Sequence, residues 1–256
     1  MANPWAISIP SATSAAHDPI CILAPRSRIV EALVSLLHLQ EDAMTTRICP
    51  VTIGQSPDTA IDSILQFSKA GFGDTQMFGV LGRRPELLKR IAALFGYFLG
   101  GEGGLLEPSL LEMVRLRGAH LNACTYCATV RLLPVQADVK PKEHAVGVTD
   151  ISGMTKAEAL THVAPIQLME LTPREAIAVQ LVDKLVTDPH AVDDEFYDQL
   201  RAHFSEEEVI ELVVASSLFT LAGAFNTVVR LDTDSGGIYP GALGYATAAA
   251  ARPVLA

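Results

Sequence analysis

Between residues 105 and 133 the chain runs LLEPSLLEMVRLRGAHLNACTYCATVRLL. This reads as a helix, a break at Asn122, and a second helix that opens with Cys124-Thr125-Tyr126-Cys127. Two thiols three positions apart face the same side of a helix turn, close enough to exchange a disulfide. With Asn122 as N-cap, both sulfurs fall in the first turn and a half, where the helix dipole favours an anion. A thiolate there has a pKa below the free value of about 8.5. No other stretch has reactive chemistry built in.

Upstream, Arg83-Arg84-Pro85-Glu86 opens LLKRIAALFGYFL, with Pro85 in the first turn and Gly100-Gly101 as the stop. Before it, DTAIDSILQFSKA (residues 58–70) places Ile61, Ile64 and Leu65 at helical spacing ahead of Gly71 and Gly73. Downstream, Pro134, Pro141 and the charged run 138–142 mark a loop. Three capping boxes then start helices: Thr155 with Glu158, Thr172 with Glu175, and Ser205 with Glu208, the last with Phe204 and Val209 as a hydrophobic staple. A short amphipathic helix lies between the last two, over 193–203. No strand alternation or repeat period appears. The expected fold class is all-α, with about eight helices.

Residues 1–57 read as an N-terminal extension, partly unstructured: four prolines fall in 1–27, a short helical period in 28–40, and Met44 suits a translation start. Residues 58–231 form the helical domain, and 232–256 a Gly/Ala-rich tail. Among 256 residues, 29 acidic against 19 basic give a net charge of −10, and no Lys/Arg cluster exceeds two neighbours, which argues against nucleic acid and anionic membrane. The uncharged stretch 212–225 is too short to span a bilayer and reads as a buried core helix. The N-terminus lacks a signal-peptide pattern, and four cysteines with one functional spacing suit a reducing compartment, so the expected location is cytoplasmic.

The pattern resembles the carboxymuconolactone decarboxylase / alkyl hydroperoxidase D superfamily. The residues that carry it are Leu106-Glu107-Pro108, Glu112-Met113-Val114, Arg117, Asn122 and Cys124-x-x-Cys127. Pro85-Glu86-Leu87-Leu88, Leu171-Thr172-Pro173-Arg174-Glu175 and His203-Phe204-Ser205-Glu206-Glu207 extend it over about residues 58–231. The resemblance implies the alkyl hydroperoxidase D-like helical fold, assembled as a homo-oligomer (trimer, hexamer or dimer). In hydroperoxidase members a glutamate stands twelve residues before CxxC and a histidine four after its second cysteine. Carried over, Cys127 is peroxidatic, Cys124 resolving and Glu112 the acid/base. The fourth position is Arg131 instead of histidine.

Peroxide reduction needs a thiolate, a proton for the departing oxygen and a second thiol. The cysteine pair can alternatively be small buried helix residues, or zinc ligands with His120 and Glu112. Glu112 stands three after Ser109, so it can simply close a capping box; a continuous helix would instead bring 112, 120, 124, 127 and 131 to one face. Arg131 stays protonated and cannot relay protons as a base, but it can lower a thiol pKa or orient a peroxide, a carboxylate or Glu112. His120, four before Cys124, can stand in for the missing imidazole. Tyr126 reads as packing, and Cys21, Cys49 and His190 as uninvolved.

The leading reading is a thiol-dependent peroxidase-like oxidoreductase that reduces hydroperoxides through a CxxC dithiol/disulfide. It implies no metal, flavin or haem, because no Gly-rich nucleotide loop follows a strand. The resemblance implies a small dithiol or redox protein as reductant. The alternatives are a cofactor-free lyase or isomerase whose Arg131 binds a carboxylated substrate, and a non-catalytic redox-sensing or binding protein.

Overall fold

Helix starts fall where a side chain can satisfy the first orphan N–H groups or where proline makes one unnecessary. The computed structural model describes residues 46–100, 103–231 and 233. Among them are nine α-helices of five or more residues and no strand. They are α1 (Thr59–Phe72), α2 (Gln76–Leu81), α3 (Pro85–Leu99), α4 (Pro108–Leu121), α5 (Thr125–Thr129), α6 (Lys156–His162), α7 (Pro173–Thr187), α8 (Asp194–Arg201) and α9 (Glu206–Val229). Asp58 caps α1 and Asp193 caps α8. The boxes at Thr155, Thr172 and Ser205 all form, and Pro85, Pro108 and Pro173 open their helices. The all-α expectation holds.

The bundle is built around α4. Every residue from Leu110 to Leu121 is buried, and α4 packs against α3, α5, α6, α7 and α9. A helix surrounded on all sides needs no polar stripe, and the charges it carries must be paired. Arg117 accordingly meets Asp183 of α7 through two bonds, at 2.5 and 2.8 Å, and donates to the carbonyl of Ala164 at 2.7 Å.

The second long core element, α9, has 24 residues and extends well past the stretch 212–225 on both sides. It is the one helix among the described residues long and apolar enough to cross a membrane, yet half of that apolar window is buried within the bundle. Leu212, Ala215 and Phe219 turn inward, while Ile210, Leu221 and Val228 remain exposed.

The arm at 1–27, the short helix at 28–40, the start at Met44 and the tail apart from Thr233 lie outside the described residues. Residues 46–57, read as part of the extension, are tied to the helices. Arg47 N–H donates to Val229 O at 2.9 Å and Val51 N–H to Gly79 O at 2.8 Å; Arg83 Nε donates to Cys49 O at 2.8 Å. Glycine is required at 79, where a Cβ would lie 2.7 Å from the Val51 carbonyl oxygen.

Candidate active site

The turn from α4 to α5 differs from the sequence expectation. Asn122 closes α4 instead of opening α5: its Nδ2 donates back to Gly118 O at 2.9 Å. Ala123 then takes a left-handed conformation, φ 52°. The N-cap of α5 is Cys124 itself, whose sulfur accepts the Cys127 N–H at 3.2 Å. An asparagine serves equally well at either end of a helix, and here the left-handed residue after it settles the direction of the chain. The α5 helix is only five residues long, and Val130 is extended. Arg131 is therefore not one helical turn beyond Cys127, and the continuous face through 112, 120, 124, 127 and 131 does not exist.

Cys124 and Cys127 are joined in a disulfide with Cα atoms 5.3 Å apart. Cys124 is fully sealed, while Cys127 keeps 8% of its surface. α9 lies over the pair: a Cβ added at Gly223 would stand in ordinary van der Waals contact with Cys124 Cβ at 3.6 Å and Cys127 Sγ at 4.0 Å. One turn further along α9, Asn226 Nδ2 donates to Cys127 Sγ at 3.4 Å.

Glu112 faces the interior, 1% exposed, and does not close a box with Ser109; the N-cap of α4 is Glu107. Its carboxylate accepts Arg115 Nε at 2.6 Å, Arg115 Nη2 at 2.8 Å and the Leu132 N–H at 3.0 Å. Arg115 in turn donates Nη1 to Cys127 O and Nη2 to Val130 O, both at 2.7 Å. One buried ion pair thus pins the backbone from the second cysteine to Leu132. Charge-assisted bonds of this kind fix geometry more firmly than neutral ones.

Arg131 sits apart from this pair. Its Nε donates to Glu143 at 2.6 Å, and its Nη1 donates to the carbonyls of Ala128, Thr129 and Val130. It does not line the pocket at Cys127. His120 is completely buried, with Nδ1 at 2.7 Å from Leu116 O. Burial, aided by the charges of Arg131 and Arg115, pushes its pKa down to about 4, against backbone hydrogen bonds to Leu116 and Thr149 that favour the charged ring. The ring is neutral and also absent from the pocket wall. The zinc alternative finds no group of three His, Cys, Asp or Glu side chains among the described residues.

Tyr126, read as packing, has a polar connection. Its hydroxyl donates to Asp74 Oδ1 at 2.5 Å and accepts the Met77 N–H at 3.3 Å. Asp74 also accepts from Gln76 N–H and Thr233 Oγ1, both at 2.8 Å.

Cys127, Tyr126, Arg115 and Asn226 line a pocket with about 50 Å³ of free volume, closed mainly by Phe72, Phe78, Phe95 and Phe219. Phe95 meets Phe78 edge-on at 5.5 Å and Phe219 at 6.2 Å. A water needs roughly 10–15 Å³ by this kind of measure, so a hydroperoxide group fits. Met77, Phe95 and Ala222 are shared with a second, wholly apolar pocket of about 240 Å³, completed by Leu81, Leu87, Ile91, Leu221 and Phe225.

Of the predicted site residues, Cys124, Cys127 and Glu112 are linked in one network through Arg115; Arg131 belongs to another. The sequence reading passed over Arg115, Asp74 and Asn226. A signal existed for Arg115, which stands three after Glu112, the spacing of a helical ion pair. None existed for Asn226, 99 residues from Cys127.

No protein-family profile and no curated protein matches the chain. Solved structures do. One is the alkylhydroperoxidase AhpD core of an uncharacterized peroxidase-related protein from Ralstonia eutropha JMP134: 18% identity, TM-score 0.52, covering 72% of this chain and 89% of that one. Another is an uncharacterized peroxidase-related protein from Silicibacter sp. TM1040: 14% identity, TM-score 0.55, covering 77% and 96%. A third is a cysteine-to-alanine variant of the debrominase Bmp8 in complex with 2,3,4-tribromopyrrole: 14% identity, TM-score 0.52, covering 76% and 95%. At these identities the likeness establishes the fold, which is alkylhydroperoxidase D-like.

Proposed function

We propose that the protein is a thiol-dependent hydroperoxide reductase that cycles between the Cys124/Cys127 dithiol and its disulfide. The observation that carries this reading is a disulfide of which one sulfur, Cys127, lies on the wall of an apolar pocket while the other is sealed behind it. Cys127 is then the sulfur that meets substrate and Cys124 the one that resolves. The Cys127 thiolate attacks the terminal oxygen of R–O–O–H. The O–O bond breaks, the inner oxygen leaves with the electron pair and takes a proton from water as R–OH, and Cys127 becomes a sulfenic acid. Cys124 attacks that sulfur, expelling the hydroxyl as water and closing the disulfide. An external dithiol or redox protein returns two electrons and two protons by exchange through a mixed disulfide.

Arg115, held by Glu112, fixes the position of Cys127 through its backbone carbonyl. The carboxylate-binding alternative is weakened because Arg131 is held by Glu143 and does not line the pocket. The adjoining apolar pocket suits the body of an organic hydroperoxide. Leu87 and Leu94 on α3 and Ile210, Val214 and Val228 on α9, all exposed, support a homo-oligomer.

The test is thiol loss, followed peptide by peptide by mass spectrometry, after reduced protein meets one equivalent of cumene hydroperoxide. Rapid oxidation of Cys124 and Cys127 together, abolished in Cys127→Ser, is expected. Indifference of both cysteines to peroxide would overturn the reading.

A further inference from the structure

Asn226 is buried, 1% exposed, and lines the Cys127 pocket. Its Nδ2 is spent on the Cys127 sulfur at 3.4 Å, while its Oδ1 is buried with no hydrogen-bond partner. A disulfide sulfur can only accept, so the amide nitrogen is the end that must face it and the carbonyl end is left over. Buried acceptors without partners are rare in folded proteins, and each calls for a reason. Gly223, one turn earlier on α9, faces the same cysteines, with a Cβ there standing 3.6 Å from Cys124 Cβ.

We propose that Asn226 is the residue that handles both reactants: Nδ2–H donates to the Cys127 thiolate, and Oδ1 accepts the O–H of the bound hydroperoxide. This rests on the peroxidase reading for the identity of the second partner, but not for the effect on the thiol. A hydrogen bond to the charged form favours that form, so the amide raises the thiolate fraction. The unpaired carbonyl holds the terminal hydroxyl of R–O–O–H beside the sulfur that attacks it, and keeps that hydroxyl when it becomes the S–OH of the sulfenic acid. Nothing is protonated or oxidised at Asn226; the leaving R–O⁻ takes its proton from water as before. An amide suits this task because it offers a donor and an acceptor a few ångströms apart without a charge that would repel a thiolate. The titratable groups around Cys127 are Arg115 and Tyr126 on the pocket wall and Cys124 behind it; none of these supplies an unpaired acceptor.

The test uses two variants of the full chain. Asn226→Leu removes donor and acceptor at nearly constant size, and Asn226→Asp keeps an acceptor while removing the donor. The first readout is the pH dependence of iodoacetamide alkylation of reduced protein, read on the Cys127 peptide. The midpoint is expected to rise by about one pH unit or more in both variants, the size expected for losing one hydrogen bond to a charged sulfur. The second readout is the rate of Cys127 oxidation by cumene hydroperoxide, divided by the thiolate fraction. It is expected to fall about tenfold in Asn226→Leu and less in Asn226→Asp. A Cys127 midpoint unmoved in either folded variant overturns the donor role; an unchanged rate per thiolate in Asn226→Leu overturns the acceptor role. If Asn226→Leu does not fold, the midpoint in Asn226→Asp decides. Wild-type protein inert to peroxide with a midpoint that still moves would sink the peroxidase reading while leaving Asn226 as the partner of the thiolate.

Discussion

Arg115 donates to both carboxylate oxygens of Glu112, at 2.6 and 2.8 Å, and to the carbonyl of Cys127 at 2.7 Å, with both side chains removed from water. The acid that the resemblance makes the acid/base is thus occupied in holding an arginine. Removing one member of a buried pair strands the other, at about 3–5 kcal/mol. Glu112→Gln is expected to lower unfolding stability by that order, whereas a glutamate that only relayed protons would lose activity and keep its stability. Chemical denaturation of Glu112→Gln, Arg115→Met and the double variant measures this. The double variant is expected to cost less than the sum of the singles, because each single leaves the other charge unpaired.

Arg131 follows a different logic. Its guanidinium is neutralised by Glu143 at 2.6 Å and its Nη1 bonds the three carbonyls that end α5. Arg131→Ala is expected to loosen that turn and reduce stability by a few kcal/mol, on the order of the loss of a partly buried ion pair and its hydrogen bonds. The alkylation midpoint of Cys127 is expected to stay where it is in the wild type. A raised midpoint would return Arg131 to the site.

Helix starts were legible because they are local: Thr155, Thr172 and Ser205 each carry their own capping partner three residues on, and proline marks α3, α4 and α7. The cysteine pair was legible for the same reason. The turn between α4 and α5 was not, because Asn122 fits either helix end and only the left-handed Ala123, an uncommon conformation for a residue with a Cβ, reveals which. With α5 ending at Thr129, the spacing from Cys127 to Arg131 lost its helical meaning. The remaining site depends on contacts between distant segments: Asn226 and Gly223 arrive from α9, and Asp74 from the α1–α2 turn. No local pattern encodes those meetings.

His120 makes stability depend on pH. Its pKa is lowered from an ordinary 6.5 to about 4, chiefly by burial. The unfolded chain therefore takes up a proton near pH 6.5 that the folded protein refuses until about pH 4. Stability from this group is fully present above pH 6.5, falls as the pH drops through that window, and levels off below it. The full change is about 3 kcal/mol at 1.36 kcal/mol per pKa unit. Urea unfolding of wild type and His120→Gln between pH 7 and pH 4 isolates the effect, since the carboxylates titrate in both. Parallel curves for the two proteins would mean that His120 takes up its proton in the fold at the same pH as in the unfolded chain.

Ala222 lies where the small pocket at Cys127 meets the larger apolar one. Its methyl group leaves that junction clear, and Ala222→Leu would put three more carbons into it. If the body of an organic hydroperoxide lies in the larger pocket while its –OOH reaches Cys127, the leucine obstructs bulky substrates selectively. Hydrogen peroxide has no body to accommodate, so its rate is expected to change little. The rate with cumene hydroperoxide is expected to fall on the order of tenfold or more, the usual consequence of a hydrocarbon misfit in an apolar pocket. The informative quantity is the ratio of the two rates in variant and wild type, because a general disturbance of Cys127 lowers both and leaves the ratio fixed. An unchanged ratio would mean that substrate reaches the sulfur by another route.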